Sequence, residues 1–556
     1  MTFDGRAYPG AAQGVITIFI VTALVVGLTL LRGDGQFTYA LDDTYIHMAV
    51  AKHLAEYGVW GATPYEVTSC SSSILWVLLL AGAFWLFGVH DLIPLFINIL
   101  FSIAFSFYLA RQLAKYGVPP ERCRWLVPIF LVFAPVLSTL FTGMEHVIHT
   151  LISLAFVIET VNLLERGRPT FRAALPLFVL APLLTMARYE GLFLIAVVCV
   201  LMTFRGGFFP AVLVCVLSII PLAVFGTAMV AAGQHFLPYS VLLKASVEGA
   251  LLEPWLGWMK VDALINLVGA PRILMLLVGI VITLLAWRNR GGGFWTSPVL
   301  LMIIPAAAVL LHAEFANLRL VRYVVYLMVL LAFALAVHDG PLFEKGLRVR
   351  RDKRVAAWGV LAFSLFIGPI SLLLMPLATI NIYQQQRQMA EFFGMYYDDV
   401  PVAINDLGTT AYYTGGPLVD LWGLASGEVA EAKLAGEYDP EKIDEICRAK
   451  DVKVAIVYDH WFEDYGGLPA HWVRAGQWRI PNNVVCAGNT VSIYAVDPAE
   501  APALVANLRA FSEHLPPPVQ EFGLYTKEPA KSNEDTTEPA LHGRNSAVDP
   551  QFADKT

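Results

Sequence analysis

Residues 40–47 read Ala-Leu-Asp-Asp-Thr-Tyr-Ile-His, and the polar stretch they open runs on to Thr-Ser-Cys-Ser-Ser-Ser at 68–73. This is the first long polar interruption after an apolar N-terminal segment. It sets two adjacent carboxylates, Asp42 and Asp43, directly beside apolar sequence. Ionisable groups in such surroundings are costly unless they are paired or line a cavity. The fold therefore turns on whether the apolar sequence around this stretch crosses a bilayer.

Composition answers first. Of the 556 residues, 57% are apolar and only 15% charged, against about 25% charged in a soluble domain. The apolar residues fall in repeated blocks, and crossing a hydrocarbon core takes about 20 residues. The expected class is a polytopic α-helical membrane protein. Residues 14–31 read as a retained first span, since no small-residue cleavage site precedes the Asp pair. The net charge of -7 does not point to nucleic acid, because acids concentrate in the C-terminal third and bases in short loops. The six cysteines show no CxxC spacing. Cys199 and Cys215 read as apolar filler, and Cys447 and Cys486 are candidates for a disulfide if the C-terminal domain faces an oxidising compartment.

After the loop 32–73, apolar runs follow at 74–89, 92–110, 125–141, 145–164, 173–187, 191–204, 208–232, 263–287, 296–311, 321–337 and 355–380. Five of the intervening loops are basic: Arg111 to Arg124, Arg166 to Arg172, Arg205, Arg288 with Arg290, and Lys345 to Arg354. Basic loops stay cytoplasmic. Placing all five inside requires one run of the pair 74–89 and 92–110 not to cross, so 74–89 reads as an interfacial helix on the outer face. About eleven crossings result, with the N-terminus inside. The loops 32–73, 142–146, 188–190, 233–262 and 312–320, with everything after about 380, then share the outer face of the cytoplasmic membrane.

Residues 381–500 change character. Short buried strands are expected at 401–405 and 453–458, acidic helices at 427–437 and 440–450, and a strand pair at 484–496 around Gly488-Asn489. The expected unit is a small extracytoplasmic α/β domain following a transmembrane module of residues 1–380. Residues 501–556 read as a polar, largely disordered tail.

Chemistry collects on the expected outer face. Asp42 or Asp43 has the chemistry of a general base toward a hydroxyl, and paired acids also suit a divalent cation such as Mg2+ or Mn2+. The plainer alternative is that one Asp caps the helix that follows. Tyr45 and His47 lie on that helix. Glu145 and His146 sit at a boundary, where an acid at a helix N-terminus is favoured by the dipole. Arg188, Tyr189 and Glu190 interrupt apolar sequence, as a cavity-facing group or a neutralised pair would. Tyr239, Lys244, Arg319 and Arg322 belong to the same face, where a lipid phosphate would hold such cations and snorkelling to headgroups is the plainer alternative, foremost for Arg319.

Taken in order, LeuAspAspThrTyrIleHis (41–47), SerSerIleLeuTrp (72–76), ThrGlyMetGluHis (142–146), AlaArgTyrGluGly (187–191), ProTyrSerValLeuLeuLys (238–244) and ArgTyrValValTyrLeu (322–327) resemble bacterial GT-C glycosyltransferases that use polyprenyl-phosphate sugars. The likeness is strongest to the arabinofuranosyltransferase-like branch of mycobacterial cell-wall enzymes, close to membrane mannosyltransferases. AsnAspLeuGlyThrThrAlaTyrTyr (405–413) and ValAspLeuTrpGlyLeu (419–424) are similar to that branch's periplasmic domain. The resemblance implies an inverting transfer from a polyprenyl-phosphate-linked sugar to a glycan, lipid or protein acceptor. A first-loop Asp, with Asp42 favoured, would be the base, and Lys244, Arg322 and Arg188 would grip the phosphate. Tyr45, His47, Glu145, His146, Tyr189, Glu190 and Tyr239 would line the substrates. Arg-Tyr-Glu stands where that branch has Arg-Pro-Glu, and Tyr239-Ser240 where it has Asn-Thr.

Two other classes compete. A flippase for a lipid-linked saccharide would carry ionisable groups deep in its spans and an internal repeat, neither of which the sequence displays. A non-catalytic envelope-assembly subunit would use residues 381–500 as a binding module.

Overall fold

The computed structural model describes residues 8–247, 267–288, 293–318, 320–344 and 366–526. The chain divides into two compact units, Met1–Thr379 and Ile380–Thr556.

The first unit is helical. Among the described residues, six helices are long and apolar enough to cross a membrane: Ala11–Arg32, Ile93–Lys115, His146–Glu165, Phe208–Ala231, Ser297–Phe315 and Ile367–Tyr396. Five more apolar helices are shorter: Ile74–Phe87, Leu175–Ala187, Gly191–Phe204, Pro271–Leu285 and Val321–Val337. At 1.5 Å per residue, the 14 residues of Ile74–Phe87 reach about 21 Å, short of the ~30 Å hydrocarbon core. By length and composition, six of the described helices are able to cross a membrane, and the expected eleven crossings are not confirmed among the described residues. The run 125–141 is also interrupted, into helices Pro120–Phe133 and Val136–Leu140. Pro135 lacks the N–H the next turn needs and disfavours a helical Ala134.

The helix His146–Glu165 sits at the middle. Of its most apolar 18 residues 78% are buried, against 22% for Ala11–Arg32. It packs on Ile93–Lys115, Leu175–Ala187, Ser297–Phe315 and the helix Val321–Glu344. At its Glu165 end the basic loops gather. Lys115 Nζ donates to Asn162 Oδ1 (2.7 Å), Arg205 Nε to the Leu164 carbonyl (3.1 Å), and Arg168 Nε to the Gly206 carbonyl (2.8 Å).

At the other end, the first loop closes over the turn Thr142-Gly143-Met144. Ala40 N donates to the Phe141 carbonyl (3.1 Å), Thr44 Oγ1 to the Thr142 carbonyl, Trp76 Nε1 to the Gly143 carbonyl (3.1 Å), and Asn98 Nδ2 to the Met144 carbonyl (3.1 Å). Gly143 has φ 63, and a Cβ there would lie 2.5 Å from Thr44 Cγ2 and 2.6 Å from the Tyr39 ring. Only glycine fits. Ser73 caps Ile74–Phe87 by accepting from Trp76 N (3.2 Å), and Tyr239 N donates to the Ser69 carbonyl (3.3 Å).

The second unit holds a six-stranded mixed sheet of β1 (Val402–Ile404), β2 (Leu418–Asp420), β3 (Val454–Val457), β4 (Val473–Arg479), β5 (Thr490–Ala495) and β6 (Gln520–Gly523), in the order β2-β1-β3-β5-β4-β6. β1 is parallel to β2 and β3, and the remaining pairs are antiparallel. Helices Gly427–Ala435 and Pro440–Ala449 supply Val429, Ile443 and Ile446 to a core with Ala403, Val457 and Phe462.

Three expectations change here. The strand pair is β4 with β5, not residues 484–496. Asn483 Oδ1 accepts from both Val485 N (3.1 Å) and Cys486 N (2.9 Å), and that local turn replaces a ladder. Residues 501–526 are ordered: Leu504, Leu508 and Phe511 of the helix Ala501–Phe511 are buried, and β6 pairs with β4. The Pro516–Pro518 run only joins these elements. The rest of the expected tail, 527–556, lies outside the described residues. Finally, Cys447 and Cys486 are buried thiols with no disulfide between them.

Candidate functional site

The first-loop helix spans Asp43–Tyr57 and ends at Gly58 in the left-handed conformation. Asp42 occupies its N-cap position, is 6% exposed, and makes no side-chain capping bond. The neighbouring Asp43 is the open carboxylate, with 40% of its side chain exposed. Its Oδ2 lies 2.9 Å from Arg322 Nη2. Residue 322 is 279 positions away in sequence, so this pair is a product of the fold.

Arg322 leads into Tyr323, whose ring is approached by two guanidinium groups. Arg322 Cζ is 5.1 Å and Arg188 Cζ 5.0 Å from its centroid. Such contacts are worth about 0.5–2 kcal/mol each. Arg188 is pinned by carboxylates. Nη1 pairs with Glu145 Oε1, Nη2 with Glu190 Oε1 (2.6 Å), and Nε with Glu190 Oε2 (3.1 Å). The bidentate grip on Glu190 arises locally, because the Arg188–Glu190 turn between two short helices brings both ends together. The Glu145 contact is long-range.

Burial decides the charge states. It disfavours the Glu190 carboxylate, but the Arg188 guanidinium outweighs it and holds its pKa at about 2. Burial also works against the Arg188 charge, and Glu190 and Glu145 more than offset it. Among these five groups, three carboxylates face two guanidinium groups. The cations are thus not idle anion sites, since each already holds a carboxylate.

Histidines surround this centre. His47 is 3% exposed, joins Ser71 Oγ through Nδ1 at 2.9 Å, and is held neutral by burial, with a lowered pKa. His146 is buried with Nε2 lacking a hydrogen-bond partner, as does Glu145 Oε2. One turn further, His149 packs on the Tyr326 ring at 4.7 Å, and His312 Nδ1 meets the Tyr326 hydroxyl at 3.1 Å.

The fold therefore gathers Asp43, Arg322, Arg188, Glu145 and Glu190, with His47 and His146 at the edge. The Tyr45 hydroxyl accepts from Tyr39 N (3.0 Å), and Tyr239 is buried, its N–H donating to the Ser69 carbonyl (3.3 Å). Lys244 falls in the helix Tyr239–Val247, but its side chain, like Arg319, lies outside the described residues. Tyr323, Tyr326, His149 and His312 were not singled out by the sequence. The signal for the tyrosines was the i, i+3 spacing within ArgTyrValValTyr. Among the described residues no three His, Cys, Asp or Glu side chains are grouped to hold a metal ion.

Residues 379–494 match the family model described as Domain of unknown function (DUF8728). No curated protein matches the chain. A crystal structure of the Archaeoglobus fulgidus oligosaccharyltransferase in the apo form is similar at a TM-score of 0.44 and 12% identity, over 87% of this chain and 74% of that one. Its complex with Zn and sulfate gives 0.43 and 11% over the same shares.

Proposed function

We propose that the chain is a GT-C-type membrane glycosyltransferase, moving a sugar from a polyprenyl-phosphate donor to a hydroxyl of a glycan, lipid or protein acceptor. The work takes place on the outer face of the cytoplasmic membrane. The reading is carried by one observation: a half-exposed carboxylate, Asp43, held 2.9 Å from a guanidinium beside a second arginine. A base and a phosphate grip are neighbours there. The apolar helices supply a surface for the polyprenyl chain.

In the proposed step the acceptor oxygen attacks the anomeric carbon. As that C–O bond forms, the bond from the anomeric carbon to the phosphate oxygen breaks, and its electron pair leaves with the phosphate. The hydroxyl proton passes to Asp43. Arg322, with Arg188 behind it and Lys244 as a third cation, stabilises the charge developing on the leaving phosphate. Attack and departure on opposite faces invert the anomeric centre. Asp43 takes the role for which the sequence favoured Asp42, because a base must meet the acceptor and Asp42 is buried. The test is transfer from a labelled polyprenyl-phosphate sugar by the purified chain, with the product's anomeric configuration read by NMR. A product retaining the donor's configuration would sink the single-displacement step.

A further inference from the structure

The two arginines of the centre differ in what they can release. Arg188 is 7% exposed and uses three guanidinium nitrogens on Glu145 and Glu190. Arg322 is 17% exposed, and its recorded carboxylate partner, Asp43, is the most open acid of the group. Glu145 is fully buried and Glu190 16% exposed. The Tyr323 ring contacts both guanidinium groups, and Arg322 Nη2 also reaches its hydroxyl at 3.4 Å. A phosphate that takes Arg322 Nη2 therefore competes with Asp43 for that nitrogen. A carboxylate bound to a guanidinium also accepts a proton less readily than one released from it.

We propose that the donor phosphate and Asp43 compete for the Arg322 guanidinium, so that donor binding is what frees the base. This rests on the transferase reading and deepens it. The phosphate takes the guanidinium N–H donors, Asp43 turns toward the aqueous side, and the acceptor finds an active base only when a donor is in place. Binding is ordered, donor first.

D43N should destroy transfer yet tighten binding of a polyprenyl monophosphate, because the phosphate no longer has to displace a carboxylate. The expected gain is about two- to fivefold, the worth of a half-exposed ion pair. It is measured by titrating full-length protein in lipid nanodiscs. Equal or weaker binding by a D43N variant that melts like the wild type would overturn the proposal. If D43N does not fold, the wild type decides. Carbodiimide labelling of Asp43, read by peptide mass spectrometry, should rise when polyprenyl monophosphate is added and not when polyprenol is added. No rise overturns the exchange. The same rise with phosphatidylglycerol or inorganic phosphate overturns the assignment to a polyprenyl donor. Tightening in a chain that transfers no sugar would sink the transferase reading and leave the exchange standing. Lost transfer in D43N without tightening would do the reverse.

Discussion

Arg188 shows most plainly what one residue does here. It is the counter-charge of two acids, one of them fully buried. Removing one partner of a buried pair costs about 3–5 kcal/mol, since it strands charge in a low-dielectric setting. Arg188→Ala should therefore lower the melting temperature of the purified protein sharply. Arg188→Lys should recover only part of the loss, because a lysine cannot make the bidentate contact with Glu190. An Arg188→Ala protein with wild-type melting would mean the pair carries no structural weight. Half of this arrangement was legible in sequence. Arg188 and Glu190 are two residues apart in a turn, and opposite charges in apolar surroundings predict a pair. The contacts of Arg188 with Glu145, 43 residues away, and with the Tyr323 ring depend on helix packing that local pattern does not encode.

Elements hold these residues in place, and the turn before the helix His146–Glu165 is the clearest case. Gly143 has a positive φ and no room for a Cβ against Thr44 and Tyr39. Gly143→Ala should cost about 1–3 kcal/mol, with added loss from the displaced ring, and should move Glu145 away from Arg188. Thermal melting and transfer rate should fall together. In the second unit, Leu508 is fully buried on the helix Ala501–Phe511, so Leu508→Ala should destabilise that unit by about 2–5 kcal/mol. A disordered segment would show no change. The i, i+4, i+7 spacing of Leu504, Leu508 and Phe511 was visible in the sequence, but the proline run beyond it drew the domain boundary too early. Lys433 gives the pH-dependent case. Its Nζ lies 3.4 Å from the Trp422 ring centroid, and burial, only partly offset by Asp420, lowers its pKa to about 7. The unfolded chain keeps this proton up to about pH 10.4, so between those values the unfolded state binds more protons. Stability must then rise as pH climbs from about 7 toward about 10. Lys433→Met should flatten that slope in a melting series.

Across the whole molecule, helical class and the site of the α/β unit followed from composition and from the change of period near residue 400. Strands β1 and β3 stood out as short apolar runs bounded by polar turns. Span number was less legible. Helices such as Leu175–Ala187 and Gly191–Phe204 are apolar enough for a bilayer but too short by length alone, and hydropathy does not show what a short helix packs against. The motifs were legible as a series, while their convergence on the Asp43–Arg322 pair was not, because neither residue's neighbours mention the other. The central claim is that this pair is the catalytic edge of a sugar transferase. The most direct measurement is the rate of transfer from a labelled polyprenyl-phosphate sugar by wild type, D43N and R322Q proteins of equal thermal stability. Measurable wild-type transfer is expected, with a loss of about 100-fold or more in D43N, the contribution expected of a general base, and with R322Q also impaired. Full transfer by a folded D43N protein would contradict it.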